Sequence, residues 1–163
     1  MTIQSLGLGV VALLLIIAAI SDARHYRIPN WLNAVIALTF VAGQLSQSPS
    51  GTELIVHLAA AALVFLCGFI LFSLNLFGGG DVKLITALAL WTGFAELPRF
   101  ILLTTLAGGV LALLLLILRW LSAGRGNKID SRVPYGIAIA VAGLDFCMQQ
   151  QGIDLPLLNL MHL

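Results

Sequence analysis

Apolar runs near or above the length needed to cross a bilayer recur along this whole chain, separated by short polar connections. Hydrophobic residues make up 60% of the 163 positions and charged residues 9%, where a soluble domain carries roughly a quarter charged. The mean hydropathy is +1.06. In lipid every backbone polar group must be satisfied internally, which favours helices. The expected fold is an all-α polytopic membrane protein, with residues 1–163 forming one integral-membrane domain. The first run, Ile3 to Ile20, has no Lys or Arg ahead of it, so it reads as a retained helix rather than a signal peptide.

Six transmembrane spans are expected, at about 3–21, 31–46, 54–76, 82–95, 98–119 and 134–150. The fourth begins beside three glycines and reads as tilted or partly recessed, and Pro98 punctuates the turn into the fifth. With the N-terminus outside, Arg24, Arg27, Lys83, Arg119, Arg125, Lys128 and Arg132 all fall on the inside. Only Arg99 lies outside, a split of seven to one. That orientation puts Asp22, Asp81 and the loop before Pro134 together at the cytoplasmic face. Trp31 and Trp120 sit at span ends, where interfacial aromatics collect. Gly124–Lys128 reads as a flexible basic loop.

Carboxylates beside the hydrocarbon region are costly to ionise and are retained for pairing or function. Asp22 opens the polar connection that runs to Trp31; alone it reads either as a solvated residue paired with Arg24 or Arg27, or as half of a working pair. Asp81 follows Gly78-Gly79-Gly80. Three glycines add no helix propensity, but they permit unusual torsions and close approach of another chain. Asp81 is either a plain N-cap or the second carboxylate, and the two readings are compatible. Two carboxylates held close share a proton, so one activates water while the other protonates a carbonyl oxygen.

The remaining polar residues say less. Lys83 either marks the interface or tunes the carboxylates. Glu53 and His57, spaced i,i+4, suggest a helix-stabilising pair. His25, His57 and His162 are too scattered for a metal site, and Cys67 and Cys147 form no C-x-x-C pair, so no metal is expected. Asp145 and Asp154 fall toward the outer end, and Gly108-Gly109 suits close helix packing.

Gly78-x-Gly80-Asp81 resembles the G-x-G-D signature of polytopic aspartyl proteases. Its extension to Gly-Gly-Gly-Asp-Val-Lys-Leu (78–84), the D-x4-R-I-P-N stretch (22–30) before it, and Val133-Pro134-Tyr135-Gly136 after it are similar to the type IV prepilin peptidases. The small forms that serve Flp-type, tight-adherence pili fit best. The resemblance implies Asp22 and Asp81 as the catalytic pair, with Gly78, Gly80, Lys83, Pro134, Tyr135 and Gly136 as motif residues. The Pro-Tyr-Gly turn either frames the substrate strand or simply begins the last helix. The implied substrate is a prepilin, a short leader ahead of one apolar helix, cut at the cytoplasmic side of a bacterial inner membrane. Pilus-assembly machinery is an implied partner; nucleic acid and cofactors are not.

The long prepilin peptidases carry two C-x-x-C pairs between their early helices and also methylate the new N-terminus. This chain has only the short Asp22–Trp31 connection there, so cleavage without N-methylation is expected. The competing classes are a small proton- or cation-coupled transporter, with aspartates near the bilayer midplane, and a catalytically silent assembly factor that tolerates Asp81→Asn.

Overall fold

The computed structural model describes residues 3–47, 49–122 and 133–153, and all of its regular structure is helical. Five helices follow in order: α1 (Ile3–His25), α2 (Asn30–Gln47), α3 (Gly51–Ser73), α4 (Gly79–Ser122) and α5 (Tyr135–Gln150). Three of them, α1, α3 and α4, are long and apolar enough to cross a membrane. The molecule is turned out as a lipid-facing protein must be. Leu13, Leu38, Leu45 and Val110 stand exposed on the outside, a distribution that would aggregate in water. The Gly124–Lys128 loop, Asp154 and His162 lie outside the described residues.

α1 runs beyond its expected end and carries Asp22 in its last turn. The Tyr26 N–H closes that turn on the Asp22 carbonyl at 2.9 Å. Tyr26 then takes a left-handed conformation, φ 51, the usual way to stop a helix though rarely with a side chain this large. The chain reverses, Ser21 Oγ donates to the Arg27 carbonyl at 2.8 Å, and Pro29 leads into α2. Asp22 is therefore a helical residue, not the opening residue of a loop.

α3 starts on a capping box, not on the expected Glu53–His57 pair. The Glu53 amide donates to Ser50 Oγ, and the Ser50 amide donates back to Glu53 Oε2 at 3.1 Å. That engages Glu53 and leaves His57 for another task. His57 Nδ1 lies 2.7 Å from the Leu90 carbonyl, tying the start of α3 to the middle of α4.

The fourth and fifth expected spans emerge as two helical arms joined at a kink, together the 44 residues of α4. Straight, it would reach about 66 Å, twice the hydrocarbon thickness. It is broken at Gly93, φ 55 and ψ −169, a conformation that glycine alone adopts without strain. The break lies five residues before Pro98, which had seemed the punctuation. Pro98 instead falls in the first turns of the second arm, where a missing N–H costs least. The arms run in opposite senses. Along the first, Val82 packs on Gly68 and Gly93 on His57; along the second, Arg99 pairs with Asp145 and Gly108 receives Tyr135.

α4 packs against α2, α3 and α5, and α1 against α2 and α5. Leu15, Leu32, Ile36, Leu88 and Ile139 are fully buried at the centre of this bundle. Gly143 admits the Leu15 side chain between α1 and α5. The consequence for the site is directional: the end of α1, the start of α2, the end of α3, the start of α4 and the start of α5 gather at one end of the bundle.

Candidate active site

Asp22 and Asp81 arrive at that common end from helices 59 residues apart in sequence. Both line one cavity of about 240 Å³ with Tyr26, Arg27, Ile28, Asn30 and the three glycines, and they are near enough for their charges to repel. Asp22 is buried, with 5% of its surface exposed.

Each carboxylate lies against a glycine. The Gly136 N–H donates to Asp22 Oδ2 at 2.7 Å, and the Gly78 backbone lies against the Asp81 carboxylate. A side chain on either glycine would displace the carboxylate beside it. A Cβ on Gly136 would stand 2.8 Å from Asp22 Oδ2, and one on Gly78 would stand 2.5 Å from Asp81 Oδ2. Backbone donors fix the direction of a carboxylate without bringing a full counter-charge, so the pair keeps its capacity to exchange protons.

Asp81 is not the N-cap of α4. It lies in the first turn, and its carboxylate reaches back against Gly78. The glycine run serves close approach rather than unusual torsions, because among the described glycines only Gly93 and Gly152 have positive φ. Gly80 brings the backbone against Ile28, where a Cβ would meet Ile28 Cβ at 3.3 Å. Lys83 touches neither carboxylate; its Nζ donates to Asn30 Oδ1 at 2.9 Å, on the rim of the cavity.

Pro134-Tyr135-Gly136 is more intimate with the site than a substrate-framing turn. Pro134 ends the loop at φ −75, Gly136 supplies the amide that holds Asp22, and Tyr135 turns away from the cavity. Its ring packs on Phe77, centroids 5.3 Å apart, in a notch left by Gly108. Gly108 thus receives a side chain, while Gly109 meets nothing within 4 Å. Asn30, Ile28 and Phe77 went unassigned in the sequence. The Ile28-Pro29-Asn30 part of the first motif was the only signal for the first two, and Phe77 had none.

Residues 9–113 match the type IV leader peptidase family. The chain belongs to this family. A prepilin leader peptidase/N-methyltransferase of Pseudomonas aeruginosa is 38% identical over 66 residues, 40% of this chain and 21% of the relative. A protein of the same description from Aeromonas salmonicida is 37% identical over 67 residues, again 40% of this chain and 21% of the relative. The matched stretch therefore spans about a fifth of the relatives' length. No solved structure matches the chain.

Proposed function

We propose that this protein is a membrane-embedded aspartic endopeptidase that removes the leader from Flp-type prepilins at the cytoplasmic boundary of a bacterial inner membrane. One observation carries the reading: two carboxylates from distant helices line one cavity, each against a glycine, with Asp22 aimed by the Gly136 amide. In this reading α4 crosses twice, the N-terminus is outside, and all 163 residues work as one domain.

The chemistry follows from the pair. The ionised carboxylate takes a proton from water, and that water attacks the scissile carbonyl. The protonated carboxylate donates to the carbonyl oxygen, giving a gem-diol. A proton passes to the amine, which leaves, and the dyad returns to its starting state. A helical peptide bond hides its carbonyl in an internal hydrogen bond, so the substrate must be extended where it is cut. Motif homology to bifunctional relatives over about a fifth of their length gives no support for methyl transfer, and cleavage alone is proposed.

The test is processing of a co-expressed Flp-type prepilin, read by gel shift, for wild type, Asp22→Asn and Asp81→Asn. Each variant is expected to fold and to lose at least about a hundredfold in rate, the lower range for general acid–base catalysis. Normal cleavage by either variant sinks the dyad. Transfer of a labelled methyl group from S-adenosylmethionine to the processed pilin sinks the claim of cleavage alone.

A further inference from the structure

A second cavity opens on the flank of the bundle, with a volume of about 440 Å³. Its walls are α3, through Leu63 and Cys67, and the second arm of α4, through Ile101 and Thr105; its floor includes Phe77 and Tyr135. The lining is almost wholly apolar. Even the threonines make no polar demand, since Thr104 and Thr105 spend their hydroxyls on the carbonyls of Phe100 and Ile101, each at 2.8 Å.

The floor is what gives the groove direction. Phe77 is one residue before Gly78, which lies against Asp81, and Tyr135 is one residue before Gly136, the amide donor to Asp22. Phe77 and Tyr135, tilted rings with centroids 5.3 Å apart, line the groove and not the dyad cavity, but the chain steps from each of them directly to a glycine that lies against a carboxylate. A chain seated in the groove and continuing past these rings is delivered to the dyad. A lipid tail could fill the same space but would make no use of that continuity.

We infer that this groove docks the apolar helix of the peptidase's substrate, so that the extended segment preceding that helix falls across Asp22 and Asp81. The inference rests on the peptidase reading and adds to it a binding surface and an orientation. α3 and the second arm of α4 both run toward the dyad. A substrate helix whose N-terminal end lies at the dyad therefore packs antiparallel to both. It inserts side chains from one face, at i, i+3 or i+4, and i+7.

Cys67 offers a direct probe. It is exposed in the groove, and the chain's other cysteine, Cys147, is buried. The experiment uses Asp81→Asn protein in membranes with an uncut Flp-type prepilin carrying single cysteines along its apolar helix. Oxidative cross-linking is expected at positions repeating every three or four residues and is lost in Cys67→Ser. In the active protein, Leu63→Trp and Ile101→Trp are expected to raise KM about fivefold to tenfold with a much smaller change in kcat. Val110→Trp, on the outer face of the same arm, is the control and stays within about twofold.

Absence of cross-links at every position, or cross-links with no helical period, overturns the docking assignment even if the wild type cuts prepilin. Unchanged KM in both tryptophan variants does the same. Periodic cross-linking to a wild-type protein that never cuts would support docking and overturn the peptidase reading.

Discussion

Asp22 and Asp145 are buried almost equally, at 5% and 6% exposure, and at opposite ends of the bundle. Their partners differ in kind. Asp145 Oδ2 lies 3.2 Å from Arg99 and accepts from Gln149 Nε2 at 2.7 Å, so a cation on a neighbouring helix balances its charge. Asp22 has a glycine amide; among the described residues, neither Arg24 nor Arg27 pairs with it. A buried carboxylate with a counter-ion is a strut between helices. One aimed by a neutral donor beside another carboxylate is poised to exchange a proton. Burial alone does not separate the two; the partner does.

The sharpest way to break that distinction is Gly136→Ala. The added methyl falls 2.8 Å from Asp22 Oδ2 and 2.9 Å from Ile28 Cδ1, so it must push the carboxylate off its amide. We expect prepilin cleavage to fall about a hundredfold, the scale of loss when a reacting group is misplaced by an ångström. Detergent-solubilised protein should still melt within a few degrees of wild type. Full activity in a folded Gly136→Ala protein would mean that the amide does not aim Asp22.

Asp145→Asn tests the other side. Removing one partner of a buried ion pair costs about 3–5 kcal/mol, and less here because the Arg99 side chain is 20% exposed. The expected result is a clear drop in thermal midpoint with cleavage per folded molecule preserved. Loss of cleavage without loss of stability would erase the contrast between the two aspartates.

Much of this was legible in the sequence, for identifiable reasons. Apolar runs marked the helices because nothing else satisfies the backbone in lipid. The charge split gathered Asp22, Asp81 and Pro134 at one face, and the helices bring the three segments to one end of the bundle. Short-range choices were harder to read. Whether α1 stops at residue 21 or at His25 depends on Tyr26 accepting a left-handed conformation. The break in α4 fell at Gly93 rather than Pro98 because proline suits an early helical turn, whereas positive φ calls for glycine. The Glu53–His57 pair failed because Ser50 competed for Glu53 and the Leu90 carbonyl lay within reach of His57. Gly136 could be marked as a motif residue. That its amide holds Asp22 is a contact across 114 residues that no local pattern encodes.

The smallest expected effect concerns a buried polar group that belongs to neither class. Asn33, in the first turns of α2, is 7% exposed, and among the described residues nothing hydrogen-bonds its side-chain amide. An unpaired buried amide costs about 1–3 kcal/mol. Leucine is close in size and has no polar atoms to satisfy, so Asn33→Leu should raise stability by about 1 kcal/mol. The thermal midpoint measures the gain and a cleavage assay reads what it does to the site. A more stable variant with normal cleavage would make Asn33 a tolerated imperfection of the core. A more stable variant that cleaves poorly would add it to Asp22 as a polar group retained against stability. A less stable variant would mean that the amide is satisfied in the membrane after all, and that the contrast drawn from partners must be extended to α2.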